Sequence, residues 1–260
     1  MRTHVGGLRV EITRPESAKF HHPLLLLHGL WTDSWIWEPF AAYLAHRGWE
    51  SWAPSLTTVP ATAAACALDD VMRALPAAPV IVAHDVGVLA AASCAQRGTV
   101  PAIVAIAPVA PPSQAASGRG IFAWPQFWRA RLAGARVSPP RGAGARAFLG
   151  GALAVRDRLR ADSGATFRAI ASGRTRLPAR LDVPGLVLGG ERDAIAPDAA
   201  LAALAARFGW TRRAYPGRGH FAILEPGWEA LADDVHRWVV QTVGAELLAL
   251  LDDDDDPDPL

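Results

Sequence analysis

Two cysteines, Cys66 and Cys94, are too few for a disulfide framework, which excludes the small stapled scaffolds of secreted proteins. No apolar run approaches the roughly 18 residues needed to span a membrane. The opening MRTHVGGLRV has no apolar signal core, so a cytoplasmic setting is expected. Tyrosine occurs only at Tyr43 and Tyr215, and lysine only at Lys19, so positive charge is carried by arginine. His4, His21, His22, His46 and His236 show no ligand spacing, so neither a metal site nor a cofactor is expected. Against these absences stand 260 residues that are 51% hydrophobic and 20% charged. That composition buries a substantial core and fits one large domain, or one domain with an insertion.

The formal net charge of +1 conceals a division. Residues 112–181 hold thirteen Arg against two acids, Asp157 and Asp162, a local charge of +11 that leaves −10 for the remainder. Six of those negative charges are Asp252 to Asp256 and Asp258, in the terminal DDDDDPDPL. Such a run is expected to be a solvated, disordered tail over 251–260. The Arg-rich stretch reads first as a solvated helical surface, and second as a face for an anionic substrate or partner. No nucleic-acid-binding motif accompanies it and the acidic remainder would repel phosphate, so a small molecule is expected rather than nucleic acid or a membrane. Nothing in the sequence sets an oligomeric state.

Short apolar runs alternate with helical patterns. Residues 23–27, 79–83, 102–107 and 184–188 are apolar and bounded by Pro or Gly, as buried strands are. Residues 49–53 and 211–215 are weaker strands, and GGLRVEITRP alternates as a half-exposed edge strand does. Helices are predicted over 36–47, 66–75, 87–97, 198–208 and 228–250, the last with a break near Gly244. The alternation argues a mainly parallel sheet covered on both faces. It fails over 109–182, which has Pro/Gly/Ser-rich ends, no strand candidate and helical pieces at 122–133 and 145–160.

Four segments place chemistry at strand ends. In VIVAHDVGVLAAASCA, residues 80–95, a strand turns at His84-Asp85-Val86-Gly87 straight into a helix. Such an elbow exposes one side chain, Asp85, at the sheet edge, with the Val86 N–H beside it at a helix N-terminus. In LLLLHGLW, residues 24–31, a strand ends at His28-Gly29, and the Leu30 N–H is a second oxyanion donor. LVLGGERDAIAP carries Glu191 and Asp193, and PGRGHFAILEP carries His220. Taken singly, Asp85 reads better as a helix N-cap than as a nucleophile, and His220 could be a core histidine, although its Gly-rich loop and its position favour catalysis. His28 reads as shaping the oxyanion turn by hydrogen bonding, and His84 as structural.

Together, in this order, the four segments resemble the α/β-hydrolase superfamily over nearly the whole chain. The order Asp85, Asp193, His220 is that of nucleophile, acid and histidine, with Glu191 a rival acid. The resemblance implies an α/β-hydrolase fold, a mostly parallel central sheet flanked by helices, with a helical cap insertion. The core would be 1–110 and 182–250, the cap 111–181.

Serine is usual at the elbow. A carboxylate attacking an ester would give a high-energy anhydride; attacking a saturated carbon with a good leaving group, it gives an ordinary ester. Water activated by His220 would hydrolyse that ester, with the Leu30 and Val86 N–H groups holding the oxyanion. Within the superfamily an Asp elbow resembles haloalkane and haloacetate dehalogenases and epoxide hydrolases. Their finer signatures are missing: no tyrosine lies in the insertion, and Val86 stands where a halide-binding Trp or a carboxylate-binding Arg would. Trp31, Trp124 and Trp128 are the candidates to line an apolar pocket. Two alternatives stay open: a non-hydrolytic isomerase, lyase or cyclase using Asp85 and His220 as an acid–base pair, and a binding protein that lost its serine.

Overall fold

The computed structural model describes residues 1–56, 61–114 and 136–253. The four apolar runs become β3 (Leu24–Leu27), β5 (Val80–His84), β6 (Ile103–Ile106) and β7 (Gly185–Gly190), every residue of which is buried. Continuous burial rather than alternation is what a parallel sheet covered on both faces demands. Each Leu of β3 removed from water contributes roughly 1.5–3 kcal/mol of transfer free energy.

These strands lie inside an eight-stranded sheet of order β1-β2-β4-β3-β5-β6-β7-β8, with β4 at Ser51–Pro54 and β8 at Thr211–Tyr215. Pairing is parallel from β4 to β8 and antiparallel at the other end. The alternating N-terminal segment forms β2 (Leu8–Thr13), but it is not the edge strand: β1 (Arg2–Val5) pairs outside it. After β3 the chain crosses to β4 on one side, then returns to β5 on the other. The carboxyl ends of β3 and β5 are therefore a topological switch point, where open α/β sheets place their ligands.

The helices follow their stop signals. After α1 (Glu38–Ala45) the chain turns at Gly48, which has φ 100°. Helices α2 (Ala61–Ala74) and α3 (Gly87–Arg97) follow. The expected insertion holds α4 (Gly142–Leu149), a 3₁₀ turn at Leu153–Arg158 and α5 (Gly164–Ala171). The single helix expected over 145–160 is broken at Gly150, whose φ of 55° ends α4. The helix expected over 122–133 lies outside the described residues. Helix α6 (Asp198–Phe208) ends at left-handed Gly209, φ 69°. The last helix, α7 (Glu229–Asp253), runs unbroken through Gly244 and takes in the first two aspartates of the expected tail. The rest of the tail is outside the described residues.

Candidate functional site

The turn from β5 into α3 puts Asp85 at φ 56°, in the left-handed region that L-residues avoid. Holding a non-glycine residue there costs on the order of 1–3 kcal/mol. Two backbone bonds clamp it: the Asp85 N–H donates to the Ile106 carbonyl (3.1 Å), and the Asp85 carbonyl accepts from the Val109 N–H (3.2 Å). Close helix packing finishes the elbow. A β-carbon on Gly87 would stand 2.8 Å from the Leu27 carbonyl oxygen, so only glycine lets α3 start against β3.

Because β3 and β5 are neighbours, the loop after β3 meets the elbow. The Leu30 N–H donates to Asp85 Oδ2 at 2.8 Å, and the Val86 N–H also bonds the carboxyl. Asp85 is fully buried, and its Oδ1 has no partner among the described residues. Burial disfavours the charged form and raises the Asp85 pKa to about 6, although His220 and the two amides pull it down. The loop is held by His28. Its Nε2 accepts from the Leu56 N–H (2.9 Å), so Nδ1 carries the proton and donates to the Gly29 carbonyl (2.9 Å). His28 shapes the turn that aims Leu30.

His220 follows β8 and is also fully buried. Its Nδ1 donates to Asp193 Oδ2 at 2.9 Å, while Asp193 Oδ1 accepts the Ile195 and Ala196 N–H groups at 2.7 and 2.8 Å. That arrangement fixes one imidazole tautomer and leaves Nε2 without a partner among the described residues. Burial works to lower the His220 pKa, but the carboxylate of Asp193, with Asp85 and Glu225 behind it, raises it overall. Glu191, the rival acid, is exposed, and the histidine's partner is Asp193. His84 lies beneath: its Nε2 donates to the His220 carbonyl (3.0 Å), and burial, then the His220 charge, lowers its pKa to about 3. It stays neutral.

Residues between β6 and β7 also reach this centre. Phe148 of α4 lies over the His220 ring, centroids 5.3 Å apart. Glu225, which no pattern in the sequence singled out, is buried; its Oε1 accepts the Gly151 N–H (3.0 Å) and the Gly219 N–H (3.1 Å). One carboxylate thus ties the end of α4 to the residue preceding His220. Trp31, at φ 58°, is clamped by the insertion as well: its indole N–H donates to the Val137 carbonyl (3.1 Å) and its backbone N–H to Asp162 Oδ2 (3.2 Å).

A cavity of about 450 Å³ opens beside the elbow. Gly29, Leu30 and Val86 line one end, together with His28. Asp85 and His220 do not line it, in keeping with their full burial. The walls are Leu56, Leu68, Leu89 and Ile170, with Arg97, Arg174 and Arg176 added. Trp31 is placed differently from the sequence expectation. It packs edge-on against Phe148 (4.9 Å) under the insertion, does not line the cavity, and has spent its indole N–H on Val137. Trp124 and Trp128 lie outside the described residues. Among the described residues no cluster of His, Cys, Asp and Glu could hold a metal ion.

Comparison with known proteins agrees with the architecture. A family model described as "Alpha/beta hydrolase family" matches residues 24–234. Among solved structures, an esterase from Thermogutta terrifontis superposes with TM-score 0.68 at 20% identity, covering 93% of this chain and 99% of that one. A monoacylglycerol lipase from Paleococcus ferrophilus gives 0.69 at 17%, covering 90% and 99%. An N-acyl homoserine lactonase bound to N-hexanoyl homoserine gives 0.68 at 17%, covering 94% and 96%. At such identities the likeness is one of fold. No curated protein matches the sequence. With a model match over most of its length, an elbow at the switch point and a histidine after the last strand, this chain belongs to the alpha/beta hydrolase family.

Proposed function

We propose that the protein is a hydrolase with a carboxylate nucleophile, Asp85, that displaces a leaving group from a saturated carbon and forms an alkyl ester. The observation that carries this is the difference between the two carboxyl oxygens: Oδ2 is held by the Leu30 N–H, while Oδ1 has no partner among the described residues. Oδ1 attacks carbon, and the leaving group departs with its bonding pair. Oδ2 becomes the ester carbonyl, already seated against the Leu30 amide. His220 Nε2 then takes a proton from water, whose oxygen adds to the ester carbonyl carbon. Collapse breaks the bond from that carbon to Oδ1, and the alcohol leaves with the proton from His220.

The electrostatics favour this order. Ester formation removes the Asp85 charge, one of the groups that hold a proton on His220. The imidazole becomes a readier base at the step that needs one.

Esterase, lipase and lactonase are the neighbours' names, and their ester substrates do not transfer to this elbow, because a carboxylate attacking an ester carbonyl yields an anhydride. Of the two leaving groups considered, halide is favoured over epoxide. Ring opening needs a donor to the alkoxide, and both tyrosines are engaged elsewhere, Tyr43 with Asp233 and Tyr215 with Asp234. Turnover in heavy-oxygen water tests the reading: the Asp85 peptide gains the heavy isotope, because the alcohol carries away an aspartate oxygen. The acid–base alternative, which an Asp85 pKa of about 6 also suits, leaves that peptide unlabelled.

A further inference from the structure

The cavity takes its lining from two stretches of chain that each start beside the elbow. On one wall, α3 begins at the elbow; Val86, Leu89, Ala90, Ser93 and Arg97, at helical spacing, face the space in succession. On the other, Asp162 lies next to the oxyanion loop, since it accepts the Trp31 N–H, and α5 carries Thr166 and Ile170 outward to Arg174 and Arg176. At 1.5 Å per residue, α3 alone separates the elbow from Arg97 by about 16 Å.

The charges are arranged along this axis. Asp162, whose carboxylate also caps the Ser163 N–H, would repel an anion at the elbow end. Arg97 at the far end is neutralised by Asp69 (2.7 Å). Elsewhere in the insertion Arg156, Arg158 and Arg180 pair with Asp157, Glu38 and Asp182. Arg174 and Arg176 are exposed and have no ion-pair partner among the described residues. The remaining lining combines the aliphatic Leu56, Leu68, Leu89 and Ile170 with the hydroxyls of Ser93 and Thr166.

Building on the carboxylate-nucleophile reading, we propose that the substrate is an amphiphilic anion. Its reacting carbon lies at the elbow, its unbranched aliphatic chain along α3, and its carboxylate on Arg174 and Arg176. An extended chain advances about 1.2 Å per bond, so a chain lying along the length of α3 has roughly ten to thirteen bonds. Guanidinium groups suit the far end because they bind planar carboxylates through paired N–H donors. The same feature orients the ligand, since the reversed pose would set its anion beside Asp162.

Binding, which needs no turnover, is the test. Calorimetric titration of the whole protein with decanoate and with 1-decanol compares the same chain with and without the charge. Decanoate is expected to bind at least tenfold more tightly, with affinity that rises from butanoate to decanoate and falls with added salt. The R174Q/R176Q double variant should lose the tenfold preference while its affinity for 1-decanol holds. Equal affinities in the wild type, or a preference that survives the double substitution, would overturn the proposal. Either result leaves ester formation at Asp85 to be judged separately by the labelling experiment.

Discussion

A β-carbon added to Gly29 would stand 2.3 Å from the β-carbon of Asp85 and 2.5 Å from its Oδ2, closer than unbonded atoms can approach. The loop that supplies the Leu30 amide therefore presses directly on the elbow. Gly29→Ala must push one away from the other, and overpacking of this kind costs roughly 1–3 kcal/mol. Chemical denaturation should show that loss, and the Asp85 peptide should take up heavy oxygen at least a hundredfold more slowly, because the Leu30 N–H no longer meets the carboxyl. A variant as stable and as readily labelled as the wild type would mean that the loop yields freely.

Asp85 should cost the protein stability, with a defined pH dependence. Its folded pKa, about 6, lies above the ordinary carboxylate value of 3.8. The folded state therefore holds the proton more tightly than the unfolded state, and stability falls as pH rises between those values. Asp85→Asn removes the ionisation and keeps an oxygen for the Leu30 amide. It should raise stability by about 2–3 kcal/mol above pH 7, with the gain vanishing near pH 4. Parallel urea melts at the two pH values read this; a gain that is larger in acid would reverse the sign and refute the account.

Glu225 offers a third test, because it holds the insertion to the histidine loop. Glu225→Ala strands the Gly151 and Gly219 N–H groups, at a cost of roughly 2–4 kcal/mol. Glu225→Gln keeps a carbonyl acceptor and should lose less than half of that. Urea melts rank the two variants. If the alanine variant is as stable as the wild type, the tie between α4 and His220 does not contribute to folding.

What the sequence revealed depended on how local each determinant is. The buried strands of the sheet were legible because burial on both faces writes itself as a continuous apolar run, as in Leu24–Leu27 and Val80–His84. The elbow was legible because a strand, one turn and a helix occupy a fixed spacing around Asp85. The RTHV strand was not, since a four-residue edge that is half exposed carries no such run. The break after Leu149 is marked locally by Gly150, φ 55°, but what secures it is distant, the bond from the Gly151 N–H to Glu225 spanning 74 residues. Nor does spacing separate Glu191 from Asp193, two residues apart in one loop; only the folded turn decides which carboxylate reaches the imidazole. Trp31 follows the same rule: its place under the insertion is set by Val137, 106 residues along the chain.

The central claim is a covalent bond between Asp85 and substrate carbon, and intact mass measurement of the His220→Gln variant tests it most directly. Without the imidazole base the ester should form and persist. After incubation with a panel of alkyl halides and epoxides, the account predicts a stoichiometric adduct on the peptide containing Asp85, abolished in the Asp85→Asn, His220→Gln double variant. An adduct on another residue, or wild-type turnover of a panel member with none on His220→Gln, would contradict it.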